Sequence, residues 1–355
     1  MEENKKTDGV VLSFVIPVYN VEEYLSECLD SCLKQDLENY EIVCVDDGST
    51  DGSGKLLDEY AEKYSRIRVF HTENSGVSSA RNFGVSQSQG KWIWFVDSDD
   101  FVTENCCGAI YEEAEKSGTE IVVFDFERVH QYEKRAFESG KGKITQFDTR
   151  SGVFAATPSK NYGNGPFMYW FLREKIQSLG LKFDKTMKYA EDTKFVFEYK
   201  FNTCAAMVFD YPMYFYRQRP GSAMNSLNAE AHAYCMGRLA DLYNEYALKC
   251  DDDEEQRQKL IVARSRATRN ALFTYCMQIR DYKRAKAELA RFKELGYYPY
   301  KVKMGIYSKS FKGILINLFN EMLSHKWFYL LVCRIKNKKK KSDKGVEKKD
   351  NEHKN

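Results

Sequence analysis

Along the first 126 residues, short β-branched apolar runs alternate with stretches in which apolar side chains recur every three or four positions. The runs Val11–Ile16, Tyr40–Val45, Ile67–Phe70, Lys91–Val96 and Glu120–Phe126 contain no proline, and most lack a polar alternate face. That pattern predicts strands of a parallel sheet covered on both sides. Between them, Glu22–Lys34 places Leu25, Cys28, Leu29 and Cys32 on one stripe, and Ser53 and Ser75 open further amphipathic segments ending near Tyr64 and Gln87. These read as crossover helices, each of the latter two opened by a serine of the kind favoured at helix starts. The class is α/β, a Rossmann-like, mostly parallel sheet flanked by helices.

From about Arg128 to Lys160 no period persists, which predicts an irregular insertion. Periodicity returns over Phe167–Ile176 and Ala190–Tyr199, and two short strands are expected at Ala205–Phe209 and Met213–Tyr216. Helix formers and charges then dominate from about Ala229 to Phe292. Further on, Phe311, Ile314, Leu315, Leu318, Phe319, Met322 and Leu323 share one helical face. The apolar run Trp327–Val332 that follows is shorter than the ~20 residues a membrane span needs. The expected organisation is a catalytic domain over 1–225, a helical extension over 226–300, an amphipathic membrane-associating segment over 301–337 and a basic, disordered tail over 338–355.

Charge sharpens this division. Residues 301–355 carry a net +10 and the first 300 a net −8. An apolar helical face followed by Arg334, Lys336 and Lys338–Lys341 is how a helix lies on anionic lipid. Nucleic acid is disfavoured as a partner, because no aromatics interleave the lysine cluster. The ten cysteines show no CxxC pair or zinc spacing, and no apolar leader precedes the first strand. Reduced thiols and a cytoplasmic chain, peripherally associated with the inner face of the membrane, are expected.

Candidate chemistry gathers where strands end. The fourth run closes on Asp97-Ser98-Asp99-Asp100, where strand alternation would turn Asp97 and Asp99 to one side, and hard carboxylate oxygens suit Mg²⁺ or Mn²⁺. The second closes on Asp46-Asp47-Gly48-Ser49-Thr50-Asp51-Gly52, which serves either a ligand or a helix cap. The first closes on Pro17-Val18-Tyr19-Asn20. Polar residues at the carboxyl ends of neighbouring parallel strands build one site. Glu191-Asp192 fits an acid pair near substrate or charge compensation at a helix start. Arg217 and Arg219 fit either anion contact or a solvated turn. Trp170 fits either a sugar-stacking surface or core packing.

In this order and spacing, Val15-Ile16-Pro17-Val18-Tyr19-Asn20, Val45 to Asp51, Asn74-Ser75-Gly76-Val77-Ser78-Ser79-Ala80-Arg81-Asn82, Asp97 to Asp100 and Glu191-Asp192 resemble family 2 glycosyltransferases with the GT-A fold, over about Leu12 to Ser222. The resemblance implies an inverting, non-processive enzyme of the bacterial surface-polysaccharide type. It implies that Pro17, Tyr19 and Asp47 surround a uracil, that Arg81 and Asp97 serve the nucleotide side, and that Asp99, with Asp97, holds a Mn²⁺ or Mg²⁺ ion. Asp192, or else Glu191, matches the base that deprotonates an acceptor hydroxyl, and Arg217 and Arg219 match a segment that meets the diphosphate. The implied partners are a UDP-sugar carrying a hexosyl or N-acetylhexosaminyl group and a lipid-linked glycan acceptor. A dehydrogenase is excluded because no GxGxxG turn follows the first strand. A sugar nucleotidyltransferase would need a Gly-rich basic loop there. A non-catalytic sugar-nucleotide-binding protein is disfavoured by the intact Asp97, Asp99 and Asp192.

Overall fold

The computed structural model describes residues 9–132, 134–138, 141–156, 165–219, 228–250, 253–299, 325–326 and 328–337. They form two compact units, one drawn from residues 1–186 and 191–222, the other from 187–190 and 223–355.

The first unit contains β1 (Leu12–Val18), α1 (Glu22–Leu33), β2 (Tyr40–Asp46), α2 (Ser53–Lys63), β3 (Ile67–His71), α3 (Val77–Gln87), β4 (Trp92–Phe95), β5 (Phe101–Val102), α4 (Cys107–Ser117), β6 (Ile121–Val129), β7 (Ile144–Phe147), α5 (Arg150–Ala155), β8 (Tyr169–Leu172), α6 (Arg173–Ser178), α7 (Glu191–Phe201) and β9 (Ala206–Arg217). The sheet order is β3-β2-β1-β4-β8-β6-β9-β5, with β7 also paired to β9. Strands β1 to β4, β6 and β9 run one way, and β5, β7 and β8 oppose them. The mostly parallel sheet expected from the patterning is therefore present.

Every residue of β1 and β2 is buried, as a central strand covered on both faces must be. Two buried polar side chains there are satisfied within the sheet: Ser13 Oγ donates to Glu41 at 2.6 Å, and Arg68 donates to the same carboxylate at 2.7 Å. Register decides where the strands deliver their loops. Val18 pairs with Asp46, and the Val96 amide donates to the Val15 carbonyl at 3.1 Å. The segments after β1, β2 and β4 thus leave the sheet along one edge.

Several sequence expectations are corrected. The insertion after Arg128 is not wholly irregular, since β7 and α5 lie within it. The two short strands at 205–216 are one strand, β9, whose register against β6 shifts around Asp125, opposite Pro212. Proline has no N–H for the ladder, so a bulge absorbs it without ending the strand. Asp97–Asp100 is not a continuation of β4 but a turn, closed by the Asp100 amide on the Asp97 carbonyl at 3.0 Å. Strand alternation therefore does not set the directions of its carboxylates. Helix α3 starts at Val77 after Gly76, with no local side-chain cap from Ser75. Trp170 is fully buried against Trp92 and Trp94, so core packing accounts for it and it offers no sugar-stacking face.

The second unit contains α8 (Ala229–Leu248), α9 (Glu254–Thr274) and α10 (Tyr282–Glu294). Their N-terminal amides are capped by Asn228, Asp253 and Asp281, each a favoured cap type. Residues 328–337 are helical, and Tyr329 donates to the Leu272 carbonyl at 3.0 Å. The amphipathic stretch Phe311–Leu323 and the Lys338–Lys341 cluster lie outside the described residues. Among the described residues no helix is long and apolar enough to cross a membrane. None of the ten cysteines is in a disulfide.

Candidate functional site

The loops after β1 and β2 are stitched to each other. The Asn20, Val21 and Glu22 amides, at the start of α1, donate to Ser49, Ser53 and Asp51 side chains at 3.2, 3.0 and 3.1 Å. In return the Thr50 and Gly52 amides donate to Asn20 and Glu22 at 2.8 Å each. Asp51 therefore acts as a cap twice over, accepting the Ser53 amide at the start of α2 at 3.0 Å as well as the Glu22 amide at the start of α1. A Cβ at Gly52 would meet the Glu22 carboxylate at 2.3 Å and displace that side chain from its bond to the Gly52 amide. Below the loop, Asp46 accepts from the Ser49 amide and pairs with His71, at 2.9 and 2.8 Å.

Asp47 supplies the cap that α3 lacks locally. Its two carboxylate oxygens accept the Ser75 and Gly76 amides, both at 2.8 Å. A carboxylate at a helix N-terminus satisfies orphan amides and opposes the helix dipole. It therefore fixes where α3 begins and what its first turns carry. Arg81, on the second turn, is 6% exposed and donates to Asp97 at 2.7 Å and to Glu191 at 3.5 Å. Burial alone would weaken its proton, but Asp97 and Glu191 outweigh burial and hold the guanidinium more firmly charged than usual.

The Asp97–Asp100 turn presents two carboxylates and buries a third. Asp97 pairs with Arg81, and Asp99 accepts from Arg219 Nε at 2.6 Å. Asp100 is 1% exposed, bonded to the Tyr214 hydroxyl at 2.5 Å and the Arg217 amide at 2.7 Å. The Arg217 side chain is also committed: Nε donates to the Asp99 carbonyl at 2.8 Å, the far end bonds Glu27, and the guanidinium lies 4.9 Å from the Tyr24 ring centroid. Of the two arginines, Arg219 retains the greater exposure, its side chain 25% accessible against 6%.

Glu191 and Asp192 open α7. Burial, reinforced by the adjacent Asp192, pushes the Glu191 carboxyl up to about 7. Asp192 is also raised, chiefly by burial, against the bond from the Thr193 amide. Raised, neighbouring carboxyls beside a buried arginine are groups able to take part in proton transfer.

The structure thus links Arg81 to Asp97 and Glu191, Asp99 to Arg219, and Asp47 to the start of the helix that carries Arg81, while Asp192 adjoins Glu191 in the chain. Pro17 is buried in β1, past its last pair with β4, Val15 with Phe95. Tyr19 stands 48% exposed. Sequence reading gave no role to Tyr24, Glu27, Asp100 or Tyr214; Asp100, in the Asp97–Asp100 cluster, and Tyr214, at the head of the segment carrying Arg217 and Arg219, offered a signal, and Tyr24 and Glu27 offered none. Among the described residues no three His, Cys, Asp or Glu side chains converge as a metal cage. Asp97 and Asp99 nevertheless fit a divalent ion of the Mg²⁺ or Mn²⁺ type, which takes one or two carboxylates and completes its shell with substrate phosphates.

The model for glycosyl transferase family 2 matches residues 13–180. The uncharacterized glycosyltransferase EpsJ of Bacillus subtilis (strain 168) is 30% identical over 256 residues, 68% of this chain and 73% of that protein. The poly(ribitol-phosphate) beta-glucosyltransferase of Bacillus spizizenii is 30% identical over 259 residues, 71% of this chain but only 39% of that longer protein. In fold, the chain resembles the crystal structure of S. aureus TarS 1-349, with a TM-score of 0.58 at 19% identity, over 92% of this chain and 88% of that one. That protein has also been solved with UDP and with UDP-GlcNAc.

Proposed function

The chain belongs to glycosyl transferase family 2, and on that premise we propose that it transfers a hexosyl or N-acetylhexosaminyl group from a UDP-sugar to an acceptor hydroxyl, with inversion, in surface-glycan assembly. One observation carries the reading: a single buried guanidinium, Arg81, bonds both Asp97 and Glu191. A carboxylate for the nucleotide side and the acid pair for the acceptor side therefore lie within the span of one side chain. The UDP-GlcNAc complex of the similarly folded TarS supports the donor class.

In this reading Tyr19, Pro17 and Asp47 border the uracil. Asp47 already holds two amides, and a carboxylate has lone pairs left for an imide N–H. Asp97 and Asp99 would hold Mn²⁺ or Mg²⁺, which when bound supplies positive charge to the departing diphosphate. Arg219 swings from Asp99 toward the phosphates, while Arg217 braces the turn from beneath. Asp192 takes the proton from the acceptor hydroxyl on the face opposite the departing UDP, so attack is in line and the anomeric centre inverts. Glu191, tied to Arg81, keeps the neighbouring acid's charge in balance.

The proposed acceptor is a lipid-linked glycan met at the inner face of the membrane. Supporting this, Leu331 and Ile335 stand 45% and 57% exposed, one turn apart, beside Arg334 and Lys336. The proposed division into a catalytic domain to about residue 225, a helical extension and a membrane-associating segment accords with these assignments. Incubation with a panel of UDP-sugars and Mn²⁺ tests the function. UDP release that needs both metal and Asp192 is the expected result; a chain that binds no UDP in any metal would sink it.

A further inference from the structure

Three points of the Asp97–Asp100 turn are fastened to β9. The Tyr214 hydroxyl accepts the Asp97 amide at 3.1 Å and donates to Asp100 Oδ2 at 2.5 Å. Asp100 Oδ1 accepts the Arg217 amide at 2.7 Å, and Arg217 Nε returns to the Asp99 carbonyl at 2.8 Å. The Tyr214 ring is itself fixed, fully buried and stacked on Phe167 with centroids 4.4 Å apart. The antiparallel pairs Phe101 with Phe215 and Val102 with Tyr214 continue the attachment immediately after the turn.

Such an arrangement is costly for a turn that merely reverses the chain. A buried carboxylate gives up hydration that only hydrogen bonds can replace, and like charges crowd it from Asp97 and Asp99. Hydroxyl, amide and carbonyl contacts spaced along one strand instead specify where each residue of the turn sits. The two remaining carboxylates project from that fixed base.

We propose that Tyr214 and Asp100 are positioning residues that set the spacing of the Asp97 and Asp99 carboxylates, and thereby the affinity of the site for a divalent cation together with a nucleoside diphosphate. The proposal rests on the donor-site reading given above and adds two residues to it.

Tyr214→Phe keeps the ring and its stack and removes only the hydroxyl. UDP binding is measured by calorimetry across a Mn²⁺ series, for the wild type, Tyr214→Phe and Asp100→Asn. Both variants should need about tenfold more Mn²⁺ for half of the metal-dependent gain in UDP affinity, the scale of one bond to a charged group. Metal-free UDP affinity should fall clearly less than the metal-dependent gain, since of the two carboxylates only Asp97 also serves the nucleotide side. Two variants guard against one failing to fold. If the wild type responds to Mn²⁺ and the folded variants respond identically, the positioning role is wrong. Equal loss of metal-free and metal-dependent binding would also overturn it, as general disruption. A wild type whose UDP affinity ignores Mn²⁺ overturns the metal reading of the site, and this proposal with it.

Discussion

Arg219 donates to the carboxylate of Asp99 at 2.6 Å, with its guanidinium 5.3 Å from the Tyr24 ring centroid. Both partners are partly exposed, so the pair contributes only about 0–1 kcal/mol. A diphosphate with its cation can therefore displace it. Arg219→Ala should bind Mn²⁺ alone more tightly than the wild type, because Asp99 loses its internal partner. The same variant should bind UDP in Mn²⁺ about tenfold more weakly through loss of a charge-assisted contact. Asp99→Ala should weaken metal and donor together. Calorimetry in the two orders of addition separates these outcomes.

Asp192→Asn keeps the shape of the side chain and its place in α7 but removes the carboxylate proposed as the base. Transfer should fall by about 10²–10⁴-fold, the usual worth of general base catalysis. UDP affinity should be unchanged, and a fully active variant would refute the assignment.

Glu191 gives a pH signature. Its folded carboxyl titrates near 7, above the unfolded glutamate value. The folded state therefore holds the proton more tightly, and the associated stability is complete below the unfolded pKa and lost as pH rises to about 7. Glu191→Gln cannot lose it. The melting temperature of the variant relative to wild type should rise between about pH 4.5 and 7 and then level off; a flat difference would show that Glu191 is not the group responsible.

Gly84 lies on the face of α3 that touches the sheet. A Cβ there would meet Val15 Cγ1 at 2.5 Å and Val45 Cγ2 at 3.5 Å. Gly84→Ala should cost about 1–3 kcal/mol of stability, as overpacking does. Because the helix that must shift also carries Arg81, donor affinity should fall as well. Urea unfolding and UDP titration on the same variant measure both.

Truncation after Gly305 removes the exposed Leu331–Ile335 face and the basic cluster. The shortened chain should no longer sediment with vesicles rich in anionic lipid, yet should still act on a soluble acceptor. Unchanged sedimentation would place the membrane contact elsewhere.

The α/β class was legible because period is a local property: buried strands such as Phe14–Ile16 and Ile42–Val45 show no polar face, and Leu25, Cys28, Leu29 and Cys32 repeat at helical spacing. The acidic loops were legible because carboxylates cluster at the strand ends, whereas Arg81 was legible only through the likeness of Asn74–Asn82 to a family motif. Less visible was the joining of Ala206–Phe209 and Met213–Tyr216 into one strand, since Pro212 signals a break unless a partner strand supplies a bulge. Directions within Asp97–Asp100 were also hidden, because a turn obeys no alternation.

By itself, then, the sequence determined which segments form strands and helices and which carboxylates and arginines stand at their ends. Tertiary structure decided what those groups do to one another. Asp47 caps a helix about thirty residues away, Arg81 joins two acids more than ninety residues apart, and Tyr214 reaches back to a turn over a hundred residues earlier. Each of these bonds forms only after strand order and register bring the donor and acceptor atoms of distant residues to within 3.5 Å, and no local periodicity encodes that meeting.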